Sequence, residues 1–358
     1  MSVHIPDGYL SPATCAVTGA AMVPVIAVAC AKTKRVAEGR QAPLMALGAA
    51  YSFLVMMLNV PVPDGTTAHA VGAVLIAVLL GPWAAVICVS VALVIQALFF
   101  GDGGVLALGA NSLNMAFVMP FVGYGVYRLL ARNTSLSSRR RAIAAGLGGY
   151  LGLNAASLLA AVEFGLQPTL FHSADGTPLY APFHLSQTIP AMALAHLTVA
   201  GLAEFVLTAG IVAYLQRANL PILRINHRGV ADSDAELAAR PAKPAWRWGL
   251  VGVAVMVALT PLGLLAPGGA YGEDAPAELD LAKYHLSAIP SGLARYSDFW
   301  RHTLLSDYGF ASGGHASLGY WLSALIGVLA VGVAISALVG AFRVLLRLRG
   351  EGAQTGAT

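Results

Sequence analysis

Apolar residues arrive along this chain in long, nearly unbroken runs separated by short polar stretches. That pattern has neither the period of two of a half-buried strand nor the single stripe of a soluble amphipathic helix. A helix needs about 20 apolar residues to cross a hydrocarbon core. Nine runs approach or exceed that length, at roughly 13–31, 42–60, 69–81, 83–100, 109–131, 141–163, 187–216, 247–267 and 319–346. The predicted fold is an all-α, polytopic membrane bundle of about nine transmembrane helices. Gly81-Pro82 interrupts one long apolar run, and proline inside a helix breaks its hydrogen-bond ladder, so 69–81 and 83–100 are read as two helices. One kinked helix there would reduce the count and invert every later orientation.

Loop charge favours nine spans, because cytoplasmic loops are enriched in Lys and Arg. Lys32, Lys34, Arg35 and Arg40 follow the first span; Arg128, Arg132, Arg139, Arg140 and Arg141 surround the fifth-to-sixth connection; Arg217, Arg224, Arg228, Arg240, Lys243 and Arg247 follow the seventh; Arg343, Arg347 and Arg349 end the ninth. Nine spans put every cluster in the cytoplasm, with the amino terminus outside and the carboxyl terminus inside. The expected organisation is a seven-helix body (1–217), a polar cytoplasmic linker (218–246), a two-helix tail (247–349) and a flexible end (350–358). The tail's outward loop, about 268–318, carries Glu273, Asp274, Glu278 and Asp280.

Composition agrees. The chain is 57% hydrophobic and 11% charged, against roughly a quarter charged in soluble domains. The net charge of +4 sits in the topology clusters, which argues against nucleic-acid binding. Cys15, Cys30 and Cys88 show no CxxC spacing and are expected to be packing residues. The start, MSVHIPDGYLSP, lacks the basic-then-apolar pattern of a secretory signal, so no cleavage is expected. Neither a phosphate-binding GxxxxGK[ST] loop nor an HExxH metalloprotease motif occurs. The chain is therefore expected to be no enzyme, and any energy from ATP must come from elsewhere.

The candidate chemistry is metal binding. Small Ser2 favours removal of Met1, leaving Ser2-Val3-His4: a terminal amine, two amide nitrogens and an imidazole in consecutive chelate rings. Planar nitrogen coordination of that kind suits nickel(II) or copper(II). His69 opens the third span on the same predicted face of the membrane. Asp7 and Gly8 are read as a turn folding the terminus back, a carboxylate ligand being the alternative. His196 and Glu204, eight residues apart within one span, are ionisable groups where such groups are costly. They are read either as a metal relay or as a structural hydrogen bond.

Three ordered motifs carry a family resemblance. HIPDGYLSP at 4–12, DGTTAHAVGAVLIAVLLGPWAA at 64–85 and QALFFGDGGVLALGANSLNMA at 96–116 resemble the signatures of the CbiM/NikM family, the substrate-capture components of energy-coupling-factor nickel and cobalt transporters. The resemblance covers about 4–216. The tail is similar to the small two-helix CbiN/NikN-type partner fused in frame, on topology and PLGLLAPGGAYGE at 261–273. It implies metal held by a terminal amine, the amide and imidazole of His4, and the imidazole of His69, with Asp102, Asn111 and Asn114 shaping the site. Asn side chains there are otherwise interhelical amide contacts.

The chain departs from the family in one respect: Ser2 and Val3 stand between the initiator and His4. Either Ser2, Val3 and His4 form the chelate after loss of Met1, or a start at Val3 restores Met-His. The resemblance further implies a coupling (T) subunit and two ATPase (A) subunits as partners, a lipid-embedded inner-membrane location, and no permanent cofactor. The transported ion is expected to be nickel, with cobalt uptake for cobalamin biosynthesis as the alternative. A stand-alone metal-binding membrane protein or sensor is a further reading.

Overall fold

A computed structural model describes residues 4–38, 42–62, 66–227, 245–266, 271–310 and 314–355. Among the described residues six helices are long and apolar enough to cross a membrane, and they start from the long runs of the sequence. Helix α1 (Pro12–Glu38) begins with Pro at its first position, where the missing N–H costs nothing, and Ser11 Oγ accepts from the Thr14 N–H. After α2 (Ala42–Met56) comes a two-stranded hairpin, β1 (Val60–Val62) paired antiparallel with β2 (Thr66–Ala68), Val60 opposite Ala68. Then follow α3 (Ala73–Leu80), α4 (Pro82–Phe100), α5 (Leu108–Leu130), α6 (Arg139–Leu170) and α7 (Leu185–Ala218).

The break at Gly81-Pro82 is real: α3 stops at Leu80 and α4 restarts at Pro82. The third expected span is shorter than its hydropathy implied, however. Only Ala73–Leu80 is helical, about 12 Å of rise, because the hairpin and the stretch after it occupy 66–72. Ala42–Met56 and Gly249–Leu265 are apolar helices of intermediate length.

Three π-turns interrupt the ladder: Gln96–Phe100 at the end of α4, Ser112–Val118 in α5 and His196–Ala200 in α7. Such turns re-aim side chains and recur at functional sites. Each of these opens on or contains a buried polar residue, Gln96, Asn114 or His196.

Beyond α7, residues to His227 stay folded on the body. Asn226 Nδ2 donates to Ala77 O at 3.0 Å and to the Tyr124 hydroxyl at 3.0 Å. The rest of the expected linker, 228–244, lies outside the described residues. The tail contributes α8 (Ala245–Leu259), α9 (Ser291–Tyr296) and α10 (Ala316–Thr355). Helix α10 packs hard on α2, where a Cβ at Gly327 would meet the Phe53 ring at 2.0 Å. The loop before α10 lies over the His4 end of the body: Trp300 Nε1 donates to Leu98 O at 2.8 Å and the Leu304 N–H to Phe99 O at 2.7 Å. Tyr9 in turn donates to Asp274 O at 2.8 Å.

Candidate metal centre

His4 and His69, 65 positions apart in the chain, meet in the interior. Both are buried, and their ring centroids are 4.9 Å apart with planes tilted 42°. An imidazole nitrogen binds such an ion at about 2.0–2.1 Å, which puts each ring centroid roughly 3.2 Å from it. Two rings at the observed spacing would then subtend about 100° at one ion, as neighbouring ligands do.

His69 is delivered by β2, which ends at Ala68. Its Nδ1 bonds Ala70 O at 3.0 Å, so Nε2 is the nitrogen presented. Metal-ligating histidines are commonly fixed by such a bond from the other ring nitrogen. Burial, reinforced by the neighbouring His4, holds His69 down to about 3, keeping it neutral with a lone pair to offer.

His4 Nδ1 lies 2.8 Å from Asp102 Oδ1. Burial pushes the His4 imidazole down, but the Asp102 carboxylate outweighs it and leaves His4 above its ordinary value. Burial likewise pushes Asp102 up, and the His4 contact brings it below the usual carboxylate range. Asp102 reaches this place because Gly101, at φ +72°, ends α4 in a left-handed turn that a side chain would strain.

Backbone pairing fixes the segment carrying His4. Asn111 Oδ1 accepts from the Ile5 N–H at 2.8 Å and its Nδ2 donates to Ile5 O at 3.1 Å. Asp7 accepts from the N–H groups of Val105, Leu106 and Ala107 at 3.1, 2.8 and 3.4 Å, so its carboxylate holds the turn that leads into α5. Gly8 forms the turn after it at φ +89°. Asn114 faces elsewhere, donating to Glu163 Oε2 at 2.7 Å.

His196 and Glu204 are both buried but turn to different partners. His196 Nδ1 bonds Met192 O at 2.8 Å. Glu204 Oε2 accepts from the Val71 and Gly72 N–H groups at 2.8 and 2.9 Å, anchoring the stretch that follows His69. Ser2 and Val3 lie outside the described residues. Among the described residues no group of three or more His, Cys, Asp or Glu side chains is arranged to hold a metal.

Two further contributors are not among the residues the sequence singles out. Gln96 sits inside an apolar run, and Tyr308 comes from the tail; both bond Asp102 Oδ2, Gln96 Nε2 at 3.2 Å.

A bundle of apolar helices with a buried imidazole pair at one end defines a multi-pass membrane protein with a candidate site for a transition-metal ion. The chain belongs to the family whose signature, described as the CbiM cobalt uptake substrate-specific transmembrane region, matches residues 4–221. It is 51% identical to the fused nickel transport protein NikMN of Rhodobacter capsulatus, over 94% of this chain and 97% of that one. It is 46% identical to the probable fused nickel transport protein LarMN of Lactiplantibacillus plantarum, over 91% and 94%. A crystal structure of a transition metal transporter, 56% identical, superposes with a TM-score of 0.57 and covers 63% of this chain and 100% of that one.

Proposed function

We propose that this chain is the substrate-specific membrane component of an energy-coupling-factor importer and that it captures nickel(II) in preference to cobalt(II). The observation that carries the reading is the buried His4–His69 pair, with His69 Nδ1 anchored on Ala70 O. The donors are the terminal amine of Ser2, backbone amide nitrogen at Val3 and His4, and the two imidazoles. A planar field of nitrogens favours low-spin nickel(II), and the two fused relatives above are named for nickel.

A chelate ring closed with the backbone amide of His4 requires Nδ1 of the same residue. That nitrogen bonds Asp102 in this structure. Loading therefore exchanges the Asp102 contact for the ion and releases protons from the Ser2 ammonium, the Val3 and His4 amides and the imidazole. Asn111 and Asp7 hold the segment in register during the exchange. The topology follows the charge clusters: nine membrane-crossing segments, the His4 end outside, the tail acting in place of a separate small subunit. Import is driven by a coupling subunit and two ATPase subunits.

Metal-uptake competition between nickel and cobalt, in cells expressing the full complex, tests the reading. His4→Ala and His69→Ala are each expected to abolish accumulation. Normal uptake of both ions by both variants would overturn the site.

A further inference from the structure

We propose that Tyr308, supplied by the tail, is a positioning residue of the metal centre: its hydroxyl sets the orientation of the Asp102 carboxylate and, through it, the His4 imidazole. The inference rests on the reading of His4 as a metal ligand. The Tyr308 hydroxyl donates to Asp102 Oδ2 and accepts from Gln96 Nε2 at 2.9 Å. One carboxylate oxygen is thereby committed to the tail, and the other, Oδ1, is left for His4 Nδ1 at 2.8 Å. A carboxylate fixed at one oxygen cannot rotate freely at the other.

The phenol is itself tightly held. It is buried, stacked on Phe100 at 5.0 Å and 28°, with Phe53 edge-on at 6.3 Å. Asp307 and Tyr308 have φ of +49° and +60°, a left-handed conformation uncommon outside glycine. Such backbone persists where its surroundings over-determine it, and it clusters at functional positions. The surroundings here are specific: Ser323 Oγ donates to Tyr308 O at 3.1 Å, and the Leu304 and Leu305 N–H groups donate to Phe99 O at 2.7 and 3.2 Å. Phe99 belongs to the π-turn that opens with Gln96 and leads through Gly101 to Asp102. The tail thus grips the turn that presents the carboxylate and supplies the hydroxyl that orients it. Tyr308 lies outside the 4–221 stretch that carries the family signature.

The test uses the full chain, purified in detergent, with nickel titrated against a chromophoric chelator and the ligand-field absorption of bound nickel recorded. Tyr308→Phe keeps the ring stacking and removes only the hydroxyl. It is expected to weaken nickel binding by about tenfold, because a carboxylate relieved of the hydroxyl holds His4 Nδ1 more firmly against the ion that must displace it, and to shift the nickel absorption while leaving the thermal midpoint near wild type. Tyr320→Phe, whose ring packs on Tyr308 at 5.7 Å, is expected to change neither reading. Gln96→Leu, which removes the amide donating to the Tyr308 hydroxyl, is expected to weaken binding in the same direction. It decides the matter if Tyr308→Phe does not accumulate. Wild-type affinity and spectrum in these variants, with binding lost in His4→Ala and His69→Ala, would overturn the role of Tyr308 alone. Wild-type binding in the two histidine variants would instead overturn the site beneath it.

Discussion

Asn111→Ala isolates the step that docks the amino-terminal segment. The substitution removes both bonds between the Asn111 amide and Ile5, at 2.8 and 3.1 Å. Ile5 O keeps the Gly104 N–H at 2.8 Å, so that acceptor stays satisfied. The Ile5 N–H loses its acceptor in a buried place. An orphaned buried donor costs about 1–3 kcal/mol and a lost neutral bond about 0.5–1.5 kcal/mol, so docking weakens by about 2–4 kcal/mol. Each 1.4 kcal/mol is about tenfold in affinity. The three bonds of Asp7 still hold the segment, so only part of the loss reaches the metal: nickel affinity is expected to fall by about 10- to 100-fold. The assay is competition with a chromophoric chelator on the full chain, alongside thermal unfolding. Asn226→Ala is the control. It also loses buried bonds, to Ala77 O and Tyr124, but beside Gly81, at the end of α3 away from His69. A comparable drop in thermal midpoint with unchanged nickel affinity is expected of it. Unaltered affinity in Asn111→Ala, or an equal loss in Asn226→Ala, would refute the reasoning.

Gly72→Ala places a Cβ 2.3 Å from Tyr51 Cε1 at φ +74°. A left-handed penalty of about 1–2 kcal/mol adds to overpacking of about 1–3 kcal/mol, and a lowered thermal midpoint with weakened nickel binding is expected. Glu204→Ala orphans two buried N–H groups beside His69, about 2–6 kcal/mol; Glu204→Gln retains an acceptor and is expected to keep most of the wild-type stability in the same melting experiment. Extending the amino terminus by a few residues removes the terminal amine from the chelate, and loss of high-affinity nickel binding is expected; a fully active extended chain would show that the amine is no donor.

Hydropathy revealed most of the bundle, because lipid demands long apolar runs wherever a helix crosses it. It also located the break at Gly81-Pro82, where proline leaves no choice. It overestimated the third span because an apolar run reports burial, and 69–72 is buried as irregular chain beside His69 rather than as helix. The imidazole pair could be inferred from motifs at 4–12 and 64–85. Asp102 and Asn111 could be named from the motif at 96–116 as shaping the site, but what each of them bonds could not be read from the sequence. Asp102, Asn111 and Glu204 act on backbone or side-chain groups about a hundred residues away, and no local periodicity encodes a contact at that separation. Asp7 was legible as a turn residue, but its bonds to the turn before α5 depend on tertiary docking. Tyr308 is the extreme case: it is an unremarkable tyrosine in a polar loop until the tail folds over α4.

The central claim is that two imidazoles share one ion with nitrogen donors of the terminal segment. X-ray absorption at the nickel edge of the loaded full-length protein tests it most directly. A first shell of nitrogen alone, with scattering from two imidazoles, is the expected result. Sulfur in the shell, or no imidazole scattering, would contradict it.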